Sequence, residues 1–161
     1  MMKRFFSLID GSAVAKKALS IIGYIATAFS VFVFAFLFLH FLSLSAFALF
    51  GFLITLGVPF LAVSIVRWLI NAPRPYEMPD FAGQPPKKKG GCSFPSRHAF
   101  SIFAIGTLCL FVNLPLGLVT LIFGAVMCFS RVALRLHFVR DVASGALVGI
   151  ISSVIGAFIL L

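Results

Sequence analysis

The sequence predicts an all-α fold, a polytopic membrane helix bundle with about five transmembrane helices. The composition is the first reason: of 161 residues, 61% are hydrophobic and only 11% are charged, which departs strongly from soluble globular domains. The second is that the apolar residues, including 21 phenylalanines, form runs near the length of about 20 residues that crosses a bilayer. The third is that segments with proline or polar residues separate these runs.

The apolar runs define the expected spans, taken in order along the chain. The first holds no charged residue, and the second contains Pro59 and ends with Arg67 and Trp68, where an interfacial anchor belongs. A turn at residues 113–115 separates the short third and fourth spans. The expected spans cover residues 18–42, 46–70, about 96–112, about 116–131 and 142–161.

Residues 72–95 are the only long polar stretch between these spans. The segment is rich in proline and glycine and includes the run Lys87, Lys88 and Lys89, so we expect a surface loop. Because the chain changes side at every span, two later crossings return residues 130–141 to the side of this loop. The sequence therefore predicts that both segments lie at one face of the bundle.

The charge distribution predicts an anionic partner. The formal net charge is +9, from 13 Lys and Arg against 4 Asp and Glu, and this topology puts every basic residue at the face of the loop. On a membrane protein such a face favours phosphate-bearing headgroups. No pattern of interleaved basic and aromatic residues indicates nucleic acid as a partner, and the cysteines lack the spacing of a zinc site or a disulfide framework.

Two arginines stand at the end of the second expected span. Arg67 and Arg74 are seven residues apart, about two turns if the helix persists. Guanidinium groups bind phosphate oxygens through paired hydrogen bonds and keep their charge at any working pH, so both are candidate phosphate ligands. The alternative is that they only reach the interface, as arginines near the ends of spans commonly do.

The segment Pro95-Ser96-Arg97-His98 opens the third expected span. Proline is favoured in the first turn of a helix, and the free N–H groups and positive dipole end of that turn attract anions. With the Ser96 hydroxyl and Arg97 nearby, the segment predicts a phosphate cradle, and His98 has the position of a general acid. The alternative for His98 is an interfacial hydrogen-bonding role.

Residues 130–141 are the most informative block. His137 and Asp141 are four residues apart, so on a helix the carboxylate accepts a hydrogen bond from one ring nitrogen and leaves the other free to attack. The same carboxylate stabilises the cation that forms when the imidazole is modified. A purely structural pair is the alternative. Together the three blocks supply a nucleophile, positive groups and a proton donor, which phosphoryl transfer requires.

Residues 67–141, nearly half the chain, resemble the type 2 phosphatidic acid phosphatase (PAP2) superfamily of membrane lipid phosphatases. The pattern of that family is Lys-x6-Arg-Pro, Pro-Ser-Gly-His and Ser-Arg-x5-His-x3-Asp, and the third motif is complete from Ser130 to Asp141. The resemblance implies that His137 is the nucleophile, Asp141 its partner and His98 the acid. It also implies a set of phosphate ligands, namely Arg67, Arg74, Ser96, Arg131 and, through its backbone N–H, Arg97.

Two positions depart from the family pattern. Arg67 stands where the family has lysine, which keeps the charge but alters the geometry, and Arg97 stands where it has glycine. Family members commonly have six spans with the first motif after the third, whereas here that motif follows the second. The expected organisation is a basic, interfacial segment at residues 1–17 and a membrane-embedded phosphatase domain at residues 18–161, with residues 72–95 as the active-site loop.

The resemblance implies a phosphatase that hydrolyses a lipid phosphate or pyrophosphate through a phosphohistidine, without a cofactor. Four carboxylates in the whole chain are few for a two-magnesium site, so we expect no metal. Isoprenyl pyrophosphates such as undecaprenyl pyrophosphate, phosphatidylglycerol phosphate and phosphatidate are all candidate substrates. The alternatives are a small transporter or channel that binds an anion without chemistry, a phosphotransferase with an acceptor other than water, and the haloperoxidase chemistry of soluble relatives.

We expect the protein in a membrane, specifically the bacterial cytoplasmic membrane. The excess of Lys and Arg at the loop face favours the cytoplasmic side for that face. Members of the family that the chain resembles usually turn the active site to the opposite side.

Overall fold

The computed structural model describes residues 11–78 and 90–160, which fold as a helix bundle without strands in this described part. The all-α class and the bundle architecture that the sequence predicts are thereby confirmed. The basic residues before position 11 and the run Lys87, Lys88 and Lys89 lie outside the described residues. The helices are α1 (Ala13–Leu44), α2 (Ala46–Ile70), α3 (Arg97–Val112), α4 (Leu114–Ala133) and α5 (Val139–Leu160), with a 3₁₀ turn at Pro75–Glu77 between α2 and α3.

The ends of these helices follow from short polar residues that cap them. Ser12 begins α1 because its hydroxyl accepts the N–H of Ala15 at 3.2 Å, so α1 starts at Ala13 rather than at the predicted residue 18. Asn113 ends α3 and begins α4, with its side chain accepting the N–H of Leu116 at 3.0 Å. The bounds of α2 coincide with the predicted span, and the helix continues through Pro59.

Helix α3 is the centre of the bundle. Its 16 residues correspond to about 24 Å, whereas the other four helices are long and apolar enough to cross a membrane. Phe100, Ile102 and Leu108 of α3 are fully buried among the surrounding helices, and large apolar side chains such as Phe47 and Phe158 point outward and are exposed. An apolar exterior around a buried central helix is the arrangement expected in lipid.

Small residues on α5 let its backbone approach α3 closely. A Cβ added to Gly145 would lie 2.3 Å from the carbonyl oxygen of Ser96, and one added to Gly149 would lie 2.5 Å from that of Phe100. One turn further, the Ser153 hydroxyl donates to the carbonyl of Ala104 at 2.8 Å. Small residues commonly mediate such helix contacts in membranes. The contact fixes the start of α5 against the start of α3.

The antiparallel succession of helices brings four helix ends together, as the sequence predicted. The end of α2, the start of α3, the end of α4 and the start of α5 meet at one end of the bundle, where the N–H of Ser96 donates to the carbonyl of Asp141 at 2.9 Å. At the same end, Ser130 of α4 donates its hydroxyl to the carbonyl of Leu19 of α1 at 3.1 Å. The candidate site is built at this end.

Candidate active site

Backbone and side-chain hydrogen bonds fasten the two described parts of the loop to each other. Asn71, in the left-handed conformation with φ 43°, ends α2, and its side-chain oxygen accepts the N–H of Cys92 at 3.1 Å. The N–H of Ser93 donates to the carbonyl of Ala72 at 2.8 Å. Gly91 has φ +66°, and a Cβ there would lie 2.3 Å from the Asn71 oxygen, so this turn requires glycine. The segment before α3 is thereby held against the end of α2.

Glu77, in the 3₁₀ turn, connects the two described parts of the loop. One carboxylate oxygen accepts the N–H of Gly91 at 2.7 Å, and the other accepts the N–H of Arg74 at 3.3 Å. The Nε of Arg74 in turn donates to the carbonyl of Gly91 at 3.0 Å. Glu77 therefore holds the backbone of Arg74, a predicted phosphate ligand, and Gly91 orients its side chain.

Arg67 connects α2 to the segment that leads into α3. Its side chain is only 8% exposed, and Nη1 donates to the carbonyls of Ser93 at 3.2 Å and Pro95 at 2.9 Å. A guanidinium offers five N–H donors in a fixed plane, so these two bonds leave further donors on the same group. The planar fork of arginine suits this position, where the family pattern has lysine.

The imidazole of His137 and the carboxylate of Asp141 lie side by side in the interior. Both are almost fully buried, and His137 Nδ1 is 3.7 Å from Asp141 Oδ2, which is longer than a hydrogen bond. The hydroxyl of Ser93 donates to that same Oδ2 and is 3.5 Å from Nδ1. Ser93 therefore bridges the pair that the sequence predicted to bond directly.

The local structure of this pair differs from the prediction. The spacing of four predicts one helical turn, but His137 lies in the turn before α5, and only Asp141 is helical. The reason is that Asp141 Oδ2 accepts the N–H of Phe138 at 3.0 Å, a back-bond typical of a helix N-terminus. Asp141 thus lies in the first turn of α5 and faces the imidazole.

Burial and charge keep His137 neutral. Removal from water, followed by the positive charges of Arg74 and Arg67, lowers the pKa of the imidazole from 6.5 to about 4, although Asp141 acts in the opposite direction and His98 adds a small lowering. At neutral pH the ring is therefore uncharged, and one nitrogen has a free lone pair. A neutral imidazole is the form that can act as a nucleophile.

His98 lies at the start of α3, between the arginines and an apolar cavity. It lines a cavity of about 420 Å³ between α1, α2, α3 and α4, here called the His98 cavity. The walls of the His98 cavity are mostly apolar and include Val31, Phe34, Phe60, Ile105 and Met127.

The remaining predicted phosphate ligands are Ser96, Arg131 and Arg97. Ser96 is fully buried, and its hydroxyl accepts the N–H of Ala99 at 3.4 Å, so it is the N-cap of α3 and orients the free N–H groups of the first turn. Arg131, in the last turn of α4, has a buried Nε without a hydrogen-bond partner among the residues that the structure describes. The guanidinium of Arg97 lies 5.9 Å from the ring centre of Phe60 and extends away from the backbone.

Ser93, Asn71 and Glu77 are the positions that sequence reasoning did not assign to the site. Ser93 contacts Asp141 across 48 positions of sequence, and no spacing rule connects residues so far apart. In the sequence, the position of Ser93 just before Pro95 is the one feature that could have pointed to it.

An integral membrane helix bundle with an arginine-lined polar site at one end is the class of protein that this fold and geometry define. The chain belongs to the PAP2 superfamily, whose sequence profile matches residues 47–159. A comparison with curated protein sequences gives no significant match.

Two solved structures share the fold over nearly their whole length. LpxE from Aquifex aeolicus is 20% identical with a TM-score of 0.67, and the match covers 95% of this chain and 92% of that one. A transmembrane PAP2-type phosphatidylglycerolphosphate phosphatase from Bacillus subtilis is 19% identical with a TM-score of 0.57, over 96% of this chain and 90% of that one. The protein therefore has the PAP2 membrane phosphatase fold, which confirms the family resemblance drawn from the motifs.

Proposed function

We propose that the protein is a lipid phosphatase that acts through a phosphohistidine on His137. The observation that supports this most strongly is a buried imidazole beside the Asp141 carboxylate, whose pKa is lowered by burial and by the positive charges of Arg74 and Arg67. A nucleophile without charge beside groups that neutralise a phosphoryl oxygen is the arrangement that phosphoryl transfer needs. The alternative of an anion-binding transporter gives no reason for the buried carboxylate behind the imidazole.

In the proposed mechanism, Nε2 of His137 attacks phosphorus, because Nδ1 faces Ser93 and Asp141. The ester P–O bond breaks, and its electron pair goes to the leaving oxygen, which receives a proton from His98. Water then attacks the phosphohistidine, releases inorganic phosphate and restores His137. Charge on the phosphoryl oxygens is stabilised by a set of positive or N–H groups, namely Arg67, Arg74, Arg131, the α3 N-terminus at Ser96 and the backbone N–H of Arg97.

An amphiphilic substrate fits the surroundings of the site. The His98 cavity extends from the proposed acid into apolar walls, so an alkyl or isoprenyl chain bonded to the leaving oxygen would be removed from water there. One solved relative bears the name of a phosphatidylglycerolphosphate phosphatase, which supports lipid phosphates as a class. We propose a bacterial cytoplasmic membrane as the location of this protein, and the bacterial source of both solved relatives supports this proposal.

The carboxylates of the described residues favour a mechanism without a metal. Asp141 and Glu77 are the acidic residues in the described part of the chain. Glu77 accepts two backbone N–H groups, and one oxygen of Asp141 already accepts from Ser93 and Phe138. A site with two magnesium ions requires several oxygen ligands that are not committed in this way.

The experiment that tests this function measures phosphate release by the purified protein in detergent. The panel contains phosphatidate, phosphatidylglycerol phosphate and an isoprenyl pyrophosphate, each with wild-type protein and with His98→Ala. We expect release from at least one lipid, and a loss of about 10²- to 10⁴-fold for His98→Ala on a monophosphate because the proton donor is removed.

The same assay separates the rival mechanisms. Activity should persist in excess chelator and be blocked by vanadate, which resembles phosphate. Strict dependence on magnesium would contradict the metal-free mechanism. Absence of release from every lipid, together with anion flux in vesicles, would favour a transporter, and transfer to an added alcohol in place of water would indicate a phosphotransferase.

Ser93→Ala should lower kcat by on the order of tenfold with little change in KM. The change removes a hydrogen bond to a buried carboxylate, and a hydrogen bond to a charged group contributes about 1.5 to 3 kcal/mol. It also leaves the imidazole without its bridge to Asp141. Single-turnover measurement of phosphoenzyme formation should show the same slowing. Ser43→Ala is the control, since that hydroxyl is exposed and, within the described part of the chain, donates to the carbonyl of His40 at 2.7 Å. A rise in KM at unchanged kcat would contradict the bridging role.

A further inference from the structure

The carboxylate of Glu77 joins the segment that follows α2 to the segment that precedes α3. Oε1 accepts the N–H of Gly91 at 2.7 Å, and Oε2 accepts the N–H of Arg74 at 3.3 Å. The Nε of Arg74 then donates to the carbonyl of Gly91 at 3.0 Å. We call these three hydrogen bonds the Glu77 clasp. They form a closed ring of contacts in which each of the three residues bonds to the other two.

The Glu77 clasp leaves Arg74 little freedom. The guanidinium carbon of Arg74 is 5.9 Å from the ring centre of Tyr76, which is buried. A Cβ added to Gly90 would lie 3.0 Å from Oε1 of Glu77, so the backbone of that segment lies directly against the carboxylate. The bond at Nε uses one of the five N–H donors that a guanidinium has. Arg74 is therefore fixed in position while other donors remain for a phosphate oxygen.

Both partners of Glu77 in the clasp line the candidate phosphate site. Arg74 and Gly91, together with Arg67, are among the residues that line a cavity of about 340 Å³ at the end of α2. Glu77 itself is exposed and, within the described part of the chain, is not among the lining residues of this cavity. Any effect of Glu77 on a bound phosphoryl group would therefore pass through the residues that it holds.

The charge and the hydrogen bonds of Glu77 have opposite effects on phosphate binding. A carboxylate near the site repels an anion, so removal of its charge alone should strengthen phosphate binding. A carboxylate also has two acceptor oxygens, whereas an amide has one. Glutamine at position 77 therefore cannot accept both backbone N–H groups, and the clasp should open. Because the two effects differ in sign, one substitution distinguishes them.

We propose that Glu77 is a positioning residue, which holds Arg74 in reach of the phosphoryl group while that group is transferred to His137. This rests on the proposed function and adds to the same site a residue that does not itself contact the substrate. The clasp orders the guanidinium before the substrate binds, so less ordering is needed during the reaction. Glu77 makes and breaks no covalent bond in this role.

The first test compares Glu77→Gln with the wild-type protein in detergent, on the lipid of the panel that the wild type hydrolyses fastest. We expect kcat/KM to fall about fivefold, the effect of one lost bond to a charged group at an exposed position. Binding of orthovanadate, which can take the five-coordinate geometry of the transferring phosphoryl group, should weaken by the same factor. Met78→Gln is the control, since this neighbouring side chain is 40% exposed, and it should change neither quantity. Tighter orthovanadate binding by Glu77→Gln would show that charge dominates and would overturn the inference.

The second test repeats Glu77→Gln in an Arg74→Gln background. Because Glu77 acts through Arg74, the fivefold loss should disappear there, as expected for residues that share a contact. Orthovanadate binding by calorimetry needs no turnover, so it completes this comparison where Arg74→Gln is too slow to assay.

Three results would contradict these expectations in different ways. Losses that add in the double variant would overturn the inference, because Glu77 would then act independently of Arg74. A Glu77→Gln protein whose thermal midpoint lies below the assay temperature would also overturn it, because Glu77 would then be needed for the fold itself. Absence of phosphate release by the wild-type protein from every lipid of the panel would contradict the proposed function instead.

Discussion

His137→Ala is expected to lower kcat for phosphate release by at least about 10⁴-fold, because the change removes the proposed covalent nucleophile and with it the whole proposed two-step route. The imidazole is buried and neutral, and no other imidazole in the described residues has a carboxylate partner within ion-pair distance. With substrate labelled in the terminal phosphate, the wild-type protein should form a phosphoprotein that is stable to alkali and labile to acid. The variant should form none.

A matched histidine provides the control for this experiment. His40, near the end of α1 away from the site, stacks on Phe36 at a centroid distance of 6.4 Å, and His40→Ala should retain both activity and label. Labelled phosphoprotein in His137→Ala would show that another residue is the nucleophile. If His137→Ala loses the label and also has a lowered thermal midpoint, the loss could come from unfolding. His137→Gln keeps most of the side-chain volume, so loss of the label in a variant with an unchanged midpoint would be due to the missing imidazole.

Gly145→Ala is the second change with a large expected effect. The new methyl group would lie 2.3 Å from the carbonyl oxygen of Ser96 and 3.2 Å from the N–H nitrogen of Phe100. Both are backbone atoms of the start of α3, so only a shift of the whole helix relieves the contact. Overpacking of this kind costs about 1 to 3 kcal/mol. The shift would also separate Ser93 and Ser96 from Asp141, and we expect at least about a tenfold loss of kcat.

Gly57→Ala is the matched control, because a Cβ at that position meets no atom of the described residues within 4 Å and alanine favours the helix by about 1 kcal/mol. The thermal midpoint in detergent should fall for Gly145→Ala and stay equal or rise for Gly57→Ala. Full activity and an unchanged midpoint in Gly145→Ala would show that α3 and α5 do not need this approach to build the site.

Much of the fold was predictable because the signals are local. Apolar runs of membrane length gave the bounds of α2 as Ala46–Ile70, and Asn113 marked the turn between α3 and α4. The start of α1 was missed because Lys16 and Lys17 lie inside its first turns, whereas the prediction began the span after the last charge. A hydroxyl cap at Ser12 outweighs the cost of charged residues at a helix end that lies near the membrane surface.

The sequence predicted that residues of the three motif blocks lie at one end of the bundle, but it did not predict the contacts between them. Alternation of the spans was sufficient to bring Ser96 and Asp141 to one end. The prediction that His137 and Asp141 share a helix was wrong, since α5 begins at Val139 and His137 lies in the turn before it. The use of Arg67 to hold the carbonyls of Ser93 and Pro95 also depends on how the loop folds back, which no sequence period encodes.

The sequence by itself determined that this protein is a membrane helix bundle, that its basic residues gather at one end, and which motif residues belong together, because hydropathy and helical spacing act over a few residues. Only the tertiary structure decided that Ser93 bridges His137 and Asp141, that Gly145 brings α5 against α3, and that Arg67 donates to the carbonyls of Ser93 and Pro95. Those three facts depend on approaches between segments far apart in the chain, where packing and the burial of polar groups select one arrangement among many.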